Sequence, residues 1–287
     1  MRIRPLPQYL SFPLILWIAV LPGCGTKDDS TGIADNLPDV PDIEFDMLAG
    51  VLWGELAGVG GAMMLPSGGP GCLSISATDD LDGDGVPEEA DFTFSSSGCH
   101  FTFDNGWGTT AGSIHVTDPG VSFGFASTLN GMAYTLSVEA QDDDPAETRV
   151  RTLNGTRTVA GSPSQMTLTQ NVDVAYTVTN KPSATATETW QAVFTPGQGA
   201  SVVIGYGKRV PDGGLVVTGP FTWVQNGATV VLSLETTVPL SFPPSCESPF
   251  PSAGEVHARV VSGGPAGYVR LAWSGCGMEV QIDFIEG

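Results

Sequence analysis

One stretch of the chain has residue types and spacing that point to a specific chemistry. It runs Asp80-Leu81-Asp82-Gly83-Asp84-Gly85-Val86-Pro87-Glu88-Glu89-Ala90-Asp91. Carboxylates at places one, three and five, a glycine at six, a backbone carbonyl at seven (Val86), and acids at nine (Glu88) and twelve (Asp91) follow the ligand order of an EF-hand-type calcium loop. A hard cation needs such crowding, because carboxylate and carbonyl oxygens must replace its six to eight waters. Two departures matter: Asp91 is shorter than the usual bidentate glutamate, and Pro87 resists a helix after the loop. Short strand-like runs flank the segment, so the expected site is a helix-free loop holding a structural Ca2+. A solvated acidic hairpin turn without an ion is the alternative.

Other candidate chemistry is sparse. His100, His115 and His257 lie far apart in strand-like contexts and read as sheet residues. The nucleophile elbow, the zinc-protease helix motif and the phosphate-cradling glycine loop do not occur. With 31 acidic residues, chance carboxylate pairs are guaranteed, so a glycosidase-type site carries little weight. Asp142-Asp143-Asp144 with Glu147 reads as a solvated turn. Trp107, Trp190, Trp223 and Trp273 are spread along the strands; they read as core residues before they read as the lining of a sugar or lipid cleft. The expectation is a protein that is not an enzyme.

The elements that would position the acidic loop follow from the rest of the chain. Residues 1–23 read as a signal: Arg2 and Arg4 precede the apolar run 9–21, too short for a comfortable membrane span. The run ends in Leu21-Pro22-Gly23-Cys24, which resembles a bacterial lipobox in which Cys24 becomes the lipidated first residue. Residues 24–45 then form an acidic tether containing Asp28, Asp29, Asp35, Asp39 and Asp42, with a reach of roughly 25 Å as a random coil. Gly25 after the cysteine resembles outer-membrane rather than inner-membrane sorting.

Without residues 1–23 the chain has 9 basic and 31 acidic residues, a net charge of −22. No Lys or Arg occurs between Asp28 and Thr148. Such a surface repels nucleic acid and anionic lipid, and attracts divalent cations. The expected membrane partner is therefore reached through the lipid at Cys24. Four of the five cysteines remain, Cys72, Cys99, Cys246 and Cys276. In an oxidising compartment they allow three pairings, of which the local one, Cys72–Cys99 and Cys246–Cys276, is the simplest.

Residues 46–287 read as a single β-rich domain. Between Glu44 and Leu65, apolar residues recur at helical spacing, interrupted by five glycines at 50, 54, 58, 60 and 61. From Cys72 onward short alternating runs rich in Thr, Val, Ser and aromatics are separated by turn residues. Asn130-Gly131, Asn154-Gly155 and Asn226-Gly227 are read as hairpin turns. The fold class is all-β: an antiparallel meander, an open or half barrel or a two-sheet sandwich, with one short N-terminal helix.

The order of cysteine, short strand, D-x-D-G-D-G-V-P-E, strand and second cysteine, followed by Gly112-Ser113-Ile114-His115-Val116-Thr117-Asp118-Pro119, resembles bacterial envelope lipoproteins of uncharacterised function. The loop itself resembles the helix-free calcium loops of thrombospondin type 3 and dockerin-like repeats. The resemblance implies location and architecture and brings no activity. It leaves two binding roles, a structural or partner-binding lipoprotein and a carrier of a hydrophobic ligand such as an acyl chain held in a curved sheet. Expressed in a Gram-negative host, the protein should incorporate labelled palmitate. Cys24→Ser should abolish the labelling and leave the chain soluble, which membrane fractionation checks.

Overall fold

The computed structural model describes residues 31–33, 37–66, 71–103, 106–120, 122–139, 146–206, 208–243, 251–275 and 280–287. Cys24, Cys246, Cys276 and Asp142–Asp144 lie outside them. The elements are β1 (Thr31–Ile33), α1 (Phe45–Ala62), β2 (Leu73–Ala77), β3 (Glu89–Phe103), β4 (Gly106–Thr117), β5 (Gly124–Val138), β6 (Glu147–Ser162) and β7 (Gln165–Val178). They continue with β8 (Ala184–Glu188), β9 (Gln191–Pro196), β10 (Gly213–Gln225), β11 (Ala228–Phe242), β12 (Ala253–Ser262), β13 (Gly267–Trp273) and β14 (Val280–Glu286).

All strands belong to one sheet, ordered β1-β14-β13-β12-β11-β10-β8-β7-β6-β5-β4-β3-β2, with β9 between β10 and β7. From β2 to β14 every pairing is antiparallel, and β8 and β9 act as one strand broken at Thr189 and Trp190. Among the described strands only β1 pairs in parallel, with β14. The expected meander is present.

The strands are longer than the alternating runs suggest. Asn130-Gly131 and Asn154-Gly155 are not hairpin turns: they lie inside β5 and β6, which run on through them. The register shifts between Ala111 and Ser113 in β4 and between Leu129 and Met132 in β5. Gly112 sits at φ +104°, where a Cβ would come within 2.3 Å of the Gly131 carbonyl oxygen. The glycines therefore permit a bulge that bends the sheet, an alternative use of the residue that turns also need. Asn226-Gly227 is a true hairpin, with both residues at positive φ (50° and 82°) and Gln225 paired to Ala228.

Alternation is strict where one face is covered. In β7 the residues Met166, Leu168, Gln170, Val172, Val174 and Tyr176 point inward and are buried, and the residues between them are largely polar and face out. The inner face curls around α1. Phe45 packs edge-on to Phe284 of β14, the Gly60 Cα approaches Phe242 of β11, Met47 meets Gln225 of β10, and Glu55 reaches Arg151 of β6.

The helix is thus enclosed, and its apolar character extends all round rather than along one stripe. Of its 18 residues only Asp46 is exposed, with Gly58 and Gly61 half-buried. Its five glycines cost about 1 kcal/mol each relative to alanine, so the segment depends on burial for its structure. The N-terminus lacks a side-chain cap of its own. Instead the Glu44 N–H donates to Gln225 Oε1 (2.9 Å), and Lys181 bridges Glu44 and Asp46 at 3.2 and 3.1 Å. No helix among the described residues is long and apolar enough to cross a membrane.

The disulfide Cys72–Cys99 is formed, with Cα atoms 4.9 Å apart, and ties the start of β2 to β3. Leu52 is 1% exposed at the centre of the helix. Leu52→Ala should therefore cost about 2–5 kcal/mol of folding free energy, read from urea or guanidinium denaturation followed by circular dichroism.

Candidate functional site

The acidic loop connects β2 to β3 and is closed by Thr78 N–H to Glu89 O (2.9 Å) and Glu88 N–H to Asp79 O (3.2 Å). Its carboxylates organise the turn. Asp80 accepts the N–H groups of Gly83 (2.7 Å) and Gly85 (3.0 Å), Asp82 accepts that of Asp84 (3.2 Å), and Asp84 accepts that of Val86 (2.8 Å). Asp80, Asp82 and Asp84 bring one oxygen each within 4.8 Å of one another, a grouping able to hold a metal ion.

A fourth acid joins them from the end of β4. Asp118 donates its N–H to Glu88 O (3.0 Å), and its Oδ2 is buried without a hydrogen bond, as is Asp84 Oδ2. Burial pushes both carboxyls above the usual range; beyond it, Asp84 feels Asp82, Asp118 and Asp80, and Asp118 feels Asp82, Glu88 and Asp80. Val86 is buried beneath the loop. Asp91 is used elsewhere: on the exposed face of β3 its carboxylate meets His115 Nδ1 at 2.8 Å. The local motif could show Asp80, Asp82 and Asp84, but Asp118 is brought in by the β3–β4 pairing, which no spacing rule encodes.

The second assembly was not foreseen. A polar row crosses the inner face of the sheet beneath α1. Thr110 of β4 lies opposite Tyr134 of β5, which lies opposite Arg151 of β6, itself opposite Tyr176 of β7. A parallel row sets Ser127 of β5 against Arg157 of β6, and Arg157 against Gln170 of β7. Glu55 of the helix inserts among them, ion-paired with Arg151 and accepting the Tyr176 hydroxyl (3.1 Å). The Arg151 guanidinium also covers the Tyr134 ring at 4.9 Å. Arg157 donates Nε–H to Gln170 Oε1 (2.8 Å), and the Gln170 amide donates to Glu188.

Charge in this interior is unevenly matched. Glu55 answers Arg151. Glu188 is 0% exposed, and its Oε1 has no partner. Burial, then the neighbouring Glu55 charge, drive its carboxyl well above the usual range, against the opposing pull of Arg151, Arg157 and the Gln170 amide. Burial lowers the Arg157 pKa.

A cleft opens onto this row near the C-terminal end of α1. Apolar side chains of Met64, Phe94, Ile114, Val116, Phe125 and Leu129 form its sides, and Thr110, Ser127, Tyr134 and Arg157 complete its lining. Counted out into open solvent the space is about 520 Å3, but the part open to whole water molecules is only about 30 Å3. A smaller space of about 320 Å3, bounded by Gly54, Gly58, Gln170 and Trp190, adjoins it and shares Ala62, Tyr134 and Arg157. The walls stand close together, so whole water molecules can occupy only part of this volume. Gly50, Gly54 and Gly58 recur at four-residue intervals on α1, and a Cβ at Gly58 would meet nothing within 4 Å.

The remaining candidates are dispersed. His257 is held by Glu255 (2.7 Å) and stacks on Tyr268 (4.1 Å), His100 lies tilted against half-exposed Trp107 (5.2 Å), and Trp223 and Trp273 are core residues. Of the four tryptophans, Trp190 borders the smaller space that adjoins the cleft. No family model, curated protein or solved structure matches the chain.

Because Asp84 and Asp118 have raised pKa values in the folded state, folding binds protons here, and the penalty for their charge is present at neutral pH and fades as pH falls through those values. In chelator, Asp84→Asn should melt above wild type at pH 7, with the gap closing on acidification. Millimolar calcium should reverse the order by stabilising wild type alone, which differential scanning calorimetry reads directly.

Proposed function

We propose that this protein is a non-enzymatic, lipid-anchored binding protein of the outer cell envelope, and that it carries a small hydrophobic ligand in the cleft beneath α1. The observation that carries this reading is the cleft itself. A narrow apolar-walled cleft opens onto the buried polar row, and the space adjoining it is bounded by Gly54 and Gly58 of the helix. The lipobox-like Leu21-Pro22-Gly23-Cys24 and the acidic tether support the anchor and its outer-membrane address. A purely structural or partner-binding lipoprotein is the second reading, favoured by the acidic loop and its adjacent disulfide. A glycosidase-type activity is the third.

Calcium has a structural part in this proposal. Asp80, Asp82 and Asp84 would hold it, with Asp118 supplying the orphaned oxygen that Asp91 does not. The residues fit, since two buried carboxylate oxygens there lack any donor. The Val86 carbonyl and Glu88 complete the set expected from the loop pattern. The ion would offset carboxylate repulsion and brace the β2–β3 hairpin.

Titration of 1-octanol into the calcium-loaded protein, followed by calorimetry and by Trp190-sensitive fluorescence, tests the carrier. Saturable one-to-one uptake is expected, at least tenfold weaker in Gly58→Leu, whose side chain fills the open space beside the helix. Absence of octanol uptake by the wild type removes the carrier reading.

A further inference from the structure

The polar end of the cleft is unevenly satisfied. Arg157 is 8% exposed, and its one hydrogen bond is from Nε to Gln170 (2.8 Å). Its other donors meet no acceptor among the described residues, and the side chain borders both the cleft and the smaller space beside it. Thr110 is 1% exposed, lines the same cleft, and its Oγ1 has no hydrogen-bond partner. Tyr134 and Ser127 complete the polar wall, and neither hydroxyl makes a hydrogen bond among the described residues. Four side chains from three adjacent strands thus present donors to one space.

The direct contacts between these charges select the partner. Arg151 is matched by Glu55, whereas Glu188 reaches Arg157 only through the Gln170 amide. A guanidinium in a desolvated interior without a paired anion is costly, and a bound anion would offset that cost. Arg157 has no carboxylate in direct contact among the described residues, and one such guanidinium suits a monoanion. A planar carboxylate matches the guanidinium fork and leaves its second oxygen for hydroxyl donors. The apolar sides then require a hydrocarbon tail. Met64, unbranched and able to change rotamer, is the wall best able to yield to it.

We infer that the cleft binds a short-chain aliphatic monocarboxylate, its carboxylate on Arg157, Thr110, Tyr134 and Ser127 and its tail against Phe94, Ile114 and Phe125. This rests on the carrier reading and names its ligand class.

The test compares octanoate, 1-octanol and octylammonium at pH 7.5 by calorimetry on the full-length, calcium-loaded protein. Wild type should bind octanoate at least tenfold more tightly than octanol, and octylammonium least. Arg157→Gln should abolish the preference, bringing octanoate to the level of octanol measured on the same variant. Thr110→Val, which removes an unpartnered buried hydroxyl and should fold normally, should weaken octanoate three- to tenfold without weakening octanol. Equal binding of acid and alcohol by wild type overturns the inference and leaves the carrier standing. An acid preference that survives in Arg157→Gln also overturns it. If that variant does not fold, an unaltered octanoate affinity in Thr110→Val decides against it. Failure of all three ligands to bind removes both proposals together.

Discussion

A helix that is apolar all round can exist in water only if something encloses it. In α1 the side chains of Leu48, Leu52, Trp53, Leu56 and Val59 are each at most 1% exposed along one side of the axis, and Met47, Val51, Ala57 and Ala62 are buried around the rest of it. The curled sheet supplies the enclosure, and the helix in turn fills an inner face too wide for its own side chains to cover. Neither layer is stable alone: five glycines make the isolated helix unfavourable, and an uncovered sheet of this length would expose its whole apolar face. Each condition follows from burial of the same surface.

Enclosure also explains why polar chemistry lies inside. Beside Gly54 and Gly58 a gap remains between α1 and the sheet, where Glu55 of the helix meets Arg151, Arg157 and Gln170 from the strands. Glu55 is the helix's only charged residue within that enclosure. A buried ion pair such as Glu55–Arg151 adds little net stability over a well-packed apolar pair, but removing one partner would be severe. It fixes the rotation of the helix against β6 and β7, because Glu55 must meet both Arg151 and Tyr176.

The opposite concern is the sheet edge. β2 is five residues long and largely exposed on both faces, with Ile75 48% exposed. Such an edge invites pairing with other chains. Here it is kept short, tied by Cys72–Cys99 at one end and followed by the acidic loop at the other. The loop packs against the segment around Ile204, whose carbonyl oxygen would lie 2.8 Å from a Cβ at Gly85. The carboxylate cluster and the disulfide therefore constrain the same hairpin, and the cluster's charge discourages association.

The amino-acid sequence alone determined the class of fold, the place of the helix in the chain, the Asp80–Asp82–Asp84 grouping and the simplest pairing for Cys72 and Cys99. These are short-range properties, written in alternation, turn residues and spacing. It misassigned Asn130-Gly131 and Asn154-Gly155, since the positive φ that a hairpin needs is also what a bulge within a strand needs, and only the neighbouring strand distinguishes them. Tertiary structure alone decided that the helix lies inside the sheet. It also brought Asp118 to the acidic loop, set Asp91 on His115, and aligned Thr110, Ser127, Tyr134 and Arg157 around one cleft. Those four residues lie on three strands, and what unites them is cross-strand register, a property of pairing that no single strand carries.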